Sequence, residues 1–171
     1  MGGIDTLVNG VAIADRGSTI LDLDLERWQQ VLTVSLTSAF LCSQAVGQQM
    51  VEDQTAGTII NIGSTSAHVG RKNVVAYSVA KAGLVNLTKV CAAQLGPHGI
   101  RVNMVTPNKV GSPVGEDEEP PDRKRVNMLG TGAVPTDIAE AVLFLASDRA
   151  QFITSAELLV DGGALYGGSV G

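Results

Sequence analysis

Tyr77 and Lys81 stand four positions apart in the stretch AYSVAKAG, residues 76–83, and Ser64 precedes the tyrosine by thirteen residues. At i and i+4 on a helix two side chains share one face, so a phenol and an ammonium would point into the same space. A free tyrosine titrates near pH 10 and is a poor acid–base group near neutrality. A cation one helical turn away favours the phenolate and draws that pKa down toward the working range. A serine hydroxyl in reach of the same space can hydrogen-bond a carbonyl or alcohol oxygen and orient it. Together the three types suit proton transfer at the oxygen of a carbonyl or an alcohol. Each type also has a plainer use. Tyr and Lys lay their stems along a core and keep their tips wet, and a serine at a strand end satisfies local backbone.

Strands and helices alternate around these residues. Thr6–Ala12 reads as a buried strand, and Leu25 to about Val51 as a helix with Leu25, Trp28 and Leu32 at helical spacing. Thr58–Ser64 is a second strand, entered through Gly57. Val74–Leu95 is a second long helix with Ala80, Leu84, Leu87, Cys91 and Leu95 on one stripe, stopped by Gly96-Pro97. Arg101–Thr106 is a third strand, ended by Pro107. Residues 111–134, rich in Gly, Pro and charge, read as a loop. Pro135-Thr136-Asp137 opens a helix to about Ser147, and Ala156–Val160 is the last strand. This alternation implies an α/β fold: a doubly wound parallel sheet of about four strands with helices on both faces. No internal repeat or low-complexity linker interrupts it, so residues 1–171 are expected to form one domain. In such sheets ligands bind at the carboxyl ends of the strands. Those ends read Asn9-Gly10, Gly63-Ser64 and Thr106-Pro107-Asn108, and Tyr77 and Lys81 open the helix after the second.

Composition narrows the function classes. Against 17 Asp and Glu the chain has 12 Lys and Arg, a net charge of −5, which argues against a nucleic-acid footprint. Its one basic cluster, Arg123-Lys124-Arg125, follows the acidic run 116–119 and reads as a solvated loop. No apolar run approaches the ~20 residues a membrane span needs, and the N-terminus lacks the order of a signal peptide. Cys42 and Cys91 fall inside apolar helical patterns and are expected to be core thiols of a reduced, cytoplasmic protein. No metal ligand set is assigned.

Five stretches carry a resemblance: LVNGVA (7–12), GTIINIGSTSA (57–67), AYSVAKAG (76–83), GIRVNMVTP (99–107) and FITSAELLVDGG (152–163). They closely resemble the short-chain dehydrogenase/reductase family, from Gly2 to Gly163 with almost no gaps. The resemblance implies a Rossmann-like fold and an NAD(P)-dependent oxidoreductase that interconverts a small-molecule carbonyl and a secondary alcohol. It makes Ser64, Tyr77 and Lys81 the catalytic residues, with Lys81 also holding the ribose hydroxyls of NAD or NADP. Asn9, Gly10, Pro107, Asn108, Val110 and Ser112 match positions that line the nicotinamide cofactor, and 111–134 match the substrate loop. The family's usual Asn in the helix before the second strand holds a water linking the Lys to solvent. Here TVSLTSAF puts Ser35 there, so a longer water path and slowed turnover are expected. Pro107-Asn108 replaces the usual Pro-Gly, with Asn able to take a left-handed backbone.

A further implication concerns what precedes this pattern in the family, a βαβαβ half with a glycine-rich phosphate loop. The chain contains no such loop. Gly130-Thr131-Gly132 lacks a preceding strand, and the glycine-rich 161–168 lacks a following helix. A second reading therefore stands beside the first: a truncated, catalytically silent relative serving as a binding or oligomerisation module. In either reading a homodimer or homotetramer built on the two long helices is expected.

Overall fold

The computed structural model describes residues 3–111 and 127–167. Four strands, β1 (Thr6–Asn9), β2 (Thr58–Ile62), β3 (Arg101–Pro107) and β4 (Glu157–Val160), form one parallel sheet in the order β1-β2-β3-β4. The register runs Asn9 opposite Asn61, Asn61 opposite Met104, and Met104 opposite Glu157. The two central strands are apolar runs because both of their faces are covered. Successive side chains point to opposite faces. Ile59 joins Met50, Ala92, Ile100 and Val102 on one side, while Ile60 joins Val105, Leu145 and Ala150 on the other.

The first long helix is continuous from Leu25 to Glu52 but not uniform. Asp24 caps α1 (Leu25–Leu32), its carboxylate accepting from the Arg27 amide at 2.7 Å. A π-helical stretch at Thr33–Thr37 then leads into α2 (Ser38–Glu52). Its 28 residues are, by length and composition alone, long and apolar enough to cross a membrane, which corrects the expectation that no segment is. In the fold this helix covers the sheet. Ala39, Ser43 and Gly47 recur at a spacing of four on its buried face, where Ser43 meets Asn9 of β1 and Gly47 leaves room for Leu95.

The second long helix, α3 (Ala76–Leu95), packs on the same face, and α4 (Pro135–Ala146) covers the other through Ile138, Ala141, Val142 and Leu145. The buried stripe of α3 runs through Tyr77, Ala80, Lys81, Leu84, Thr88 and Ala92, so Leu87, Cys91 and Leu95 flank it instead of lying on it. Small residues at 88 and 92 let the backbone approach the sheet, and the larger neighbours close the sides. Arg101 donates to the Leu145 carbonyl at 2.7 Å, satisfying the end of α4 from the start of β3. The cysteines differ from expectation: Cys42 is exposed, and Cys91 is half-buried with its thiol pushed up by burial. Both lie beside the buried stripes of their helices, where an apolar pattern does not guarantee burial.

Candidate active site

Gly63 begins the site. A Cβ there would collide with Met104 and Thr106 of β3, so only glycine lets β2 leave the sheet this close to its neighbour. Its amide donates to the Val105 carbonyl at 2.8 Å, extending the ladder one residue. Ser64 follows in extended conformation and caps a single 3₁₀ turn, Thr65–Ala67, its Oγ accepting from the Ser66 amide at 3.1 Å. The serine is thereby held at the carboxyl edge of the sheet.

The N-terminus of α3 is brought to the same edge by a residue sixty positions earlier. The Asp15 carboxylate accepts from the amides of Val75, Ala76 and Tyr77 at 2.8, 2.9 and 3.0 Å. Three of the helix's orphan donors are thus satisfied by one buried side chain. Burial by itself would raise the Asp15 carboxyl, but these amides outweigh it and the pKa lies below the usual carboxylate value.

Tyr77 and Lys81 then face one cavity of about 730 Å³, which Ser64, Gly10, Pro107, Asn108 and Val110 also line. Lys81 is 2% exposed, donates to the Ile62 carbonyl at 2.7 Å, and sits 5.6 Å from the centroid of the Tyr77 ring. Burial lowers it to about 8. The Tyr77 phenol moves up, not down as expected from its lysine neighbour. Burial raises it, against lowering influences from a hydrogen bond with Ser64 and the charges of Arg16 and Arg71. Lys81 directs its ammonium to a β2 carbonyl and meets the tyrosine at the ring, and burial prevails.

Other expected positions separate. Asn9 turns away from the cavity, its amide donating to Ser43 Oγ at 3.0 Å and Asn61 Oδ1 at 2.8 Å. Asn61 passes the chain on to Thr88 Oγ1 at 2.9 Å. Ser35 is also turned away. Its hydroxyl donates to the Ile13 carbonyl at 3.0 Å and accepts from the Ile13 amide at 3.1 Å, so it pins the loop after β1 and its one proton is spent there. In the turn after β3 Lys109 (φ 48°) and Gly111 (φ 50°) are left-handed, and Asn108 is not. Asn108 instead accepts from Thr65 Oγ1 at 2.9 Å, a side-chain role that glycine could not fill. Ser112 lies outside the described residues, as do 112–126 of the expected substrate loop.

Sequence reading missed Asp15, Arg16, Arg71 and Lys109. The signal was a charged Asp15-Arg16-Gly17 directly after the small apolar run 10–14, and Arg71-Lys72 between the serine and the helix.

Comparison with known proteins settles the family. The sequence model of a family described as enoyl-(acyl carrier protein) reductase matches residues 1–164. The chain belongs to the short-chain dehydrogenase/reductase family. It is 40% identical over 172 residues to 2-(S)-hydroxypropyl-CoM dehydrogenase 3 of Xanthobacter autotrophicus, covering 95% of this chain and 67% of that protein. It is 39% identical over 166 residues to D-threitol dehydrogenase of Mycolicibacterium smegmatis, covering 95% and 63%. Among solved structures, acetoin dehydrogenase from Salmonella typhimurium superposes with a TM-score of 0.88 at 31% identity, covering 99% of this chain and 68% of that one. A 4-hydroxyisoleucine dehydrogenase complexed with NADH and succinate gives 0.80 at 30% identity, covering 93% and 67%. The chain spans about two thirds of the length of these short-chain dehydrogenase relatives.

Proposed function

We propose that this chain carries the acid–base and carbonyl-binding part of an NAD(P)-dependent oxidoreductase interconverting a carbonyl and a secondary alcohol. The observation that carries this reading is the meeting of Ser64, Tyr77 and Lys81 on one cavity at the carboxyl ends of three parallel strands. Relatives whose names are dehydrogenases, and one solved with NADH, support it.

A substrate oxygen seated beside the Ser64 and Tyr77 hydroxyls would accept a hydrogen bond from each. In the reducing direction the Tyr77 O–H bond breaks, its proton joins the carbonyl oxygen, and the phenolate left behind is offset by the cations around it. In the oxidising direction the phenolate takes the alcohol proton. A phenol held above its usual pKa by burial is fully protonated at neutral pH, so the resting site is primed for reduction. Alcohol oxidation requires ionising it and gains from alkaline pH. A nicotinamide dinucleotide, when bound, supplies or accepts the hydride. The residues present fit one: Gly10 leaves the cavity wall without a side chain, and Lys81, which lines the cavity, has three N–H donors and spends one on Ile62. The others suit ribose hydroxyls.

In the same reading the chain assembles as a homodimer or homotetramer through the helices Leu25–Glu52 and Ala76–Leu95. Phe40, Leu41, Val79 and Val90 are large apolar residues exposed on them. A monodisperse monomer by light scattering at micromolar concentration would count against it. The functional reading is tested by titrating NADH fluorescence with the chain and assaying a panel of secondary alcohols and ketones, with Tyr77→Phe as control. Turnover that Tyr77→Phe removes, with NADH affinity kept, supports it. Binding without turnover in any pairing favours the silent relative.

A further inference from the structure

The loops after β1, β2 and β3 each place a cation on the rim of the Ser64–Tyr77 cavity: Arg16, Arg71 and Lys109 respectively. With Lys81 deeper inside, four basic residues line it, and no Asp or Glu does among the described residues. The chain as a whole is acidic, with a net charge of −5, so the described lining runs against the overall sign. Clefts lined by one sign focus their field and raise the local concentration of the opposite charge.

Arg71 is the best placed of the three. Its Nη2 donates to Thr65 Oγ1 at 3.1 Å, and Thr65 donates onward to Asn108 Oδ1 at 2.9 Å. The guanidinium is therefore steadied against the residue next to Ser64 by a chain of two hydrogen bonds spanning two loops. It has five donors in a planar fork, and that shape matches a carboxylate or phosphate. The fields of Arg16 and Arg71 both reach the Tyr77 phenol, so both cations lie near the proposed reacting oxygen.

We infer that the cavity selects a substrate carrying its own anion, a carboxylate or phosphate a few bonds from the carbonyl or alcohol carbon, with Arg71 as the contact. This rests on the reading of the cavity as a carbonyl site and narrows it to a keto or hydroxy acid or a phosphorylated equivalent. The same chemistry has a second source, the phosphates of a dinucleotide, and the test separates the two.

Amide chemical shifts of Ser64, Thr65, Arg71 and Tyr77 in the 171-residue chain are followed during titration with 3-oxobutanoate and with its methyl ester. The expected result is that 3-oxobutanoate binds about tenfold tighter than the ester, a difference one charge-assisted fork can supply. Arg71→Gln should erase that preference without weakening the ester, and Arg71→Lys should restore part of it. Saturating NADH or pyrophosphate should leave 3-oxobutanoate bound. Equal binding of acid and ester overturns the anion preference and leaves the carbonyl reading standing. Displacement by pyrophosphate together with weaker NADH binding in Arg71→Gln overturns it differently, by assigning the arginine to cofactor phosphate. If neither acid nor ester moves Ser64 and Tyr77, both this inference and the carbonyl reading fall.

Discussion

The two ends of α3 are built on opposite plans. At its C-terminal end Cys91, Ala92 and Leu95 pack with Met50, Ile59, Ile100 and Val102, and the exit turn is made by Gly96, Pro97 and a left-handed Gly99. Everything there is apolar packing or a local turn. At its N-terminal end a buried carboxylate from another loop holds three amides, and a buried phenol and ammonium share a cavity. Buried polar groups cost free energy unless paired. The pairing at the N-terminal end is nearly complete but is supplied from far away in sequence. One end of the helix is built from apolar packing, and the other gathers buried polar groups at a cavity.

Substitutions at each end test this division. The largest effect should come from Tyr77→Phe, which removes one hydroxyl and keeps the ring packing. Turnover should fall by roughly 10²–10⁴-fold or more, while the thermal midpoint and NADH affinity barely change. Near-normal kcat would remove Tyr77 from the mechanism and with it the chemical meaning of this end.

Next in size is Asp15→Ala. Three helix N–H groups would lose their acceptor, and stability should fall by about 2–4 kcal/mol in chemical denaturation. Because the Asp15 carboxyl is depressed in the folded chain, its stabilisation is present above the ordinary carboxylate range and is lost as pH falls below it. The variant should accordingly show a flatter acid limb than the parent. Equal acid limbs would mean that the cap contributes no charge-dependent stability.

Lys81 gives a smaller effect in the same direction, displaced to alkaline pH. Its folded pKa of about 8 lies below the usual 10.5, so between those values the unfolded chain binds more protons and stability rises with pH. Between pH 7 and 10 the parent should gain roughly 2–3 kcal/mol relative to Lys81→Met, which cannot titrate. Parallel stability curves would show that the ammonium is better solvated than its burial implies.

Two controls at other places should move stability only. Leu95→Ala at the C-terminal end should cost about 1–2 kcal/mol, the residue being partly buried, with kcat unchanged in an active preparation. Ser35→Ala should cost about 1–2 kcal/mol through its two bonds to Ile13 and leave the pH profile of turnover where it was. A shifted pH profile in Ser35→Ala would revive a proton-relay role that its hydrogen bonds argue against.

The alternation of elements was legible because apolar periodicity is strong in this chain. All four strands and the long helices fall where the pattern puts them, with β1 and β2 ending earlier than their apolar runs. The convergence of Ser64, Tyr77 and Lys81 was legible too, since parallel topology carries strand ends and following helix starts to one edge. Orientation within that edge was not. Asn9 sits at a strand end yet turns into a network with Ser43, Asn61 and Thr88, because register places Asn61 beside it.

By itself the sequence determined the order of elements, the parallel sheet, and the shared face of Tyr77 and Lys81, because periodicity and i,i+4 spacing are local properties of the chain, while Ser64 joined them through resemblance to a family. Only the tertiary structure decided that Asp15 caps α3, that Ser35 is spent on Ile13, that Tyr77 is raised instead of lowered, and that three loops bring cations to one rim. Each of those depends on burial and on the distance between residues remote in sequence. Neither quantity exists until the sheet has brought its strand ends together.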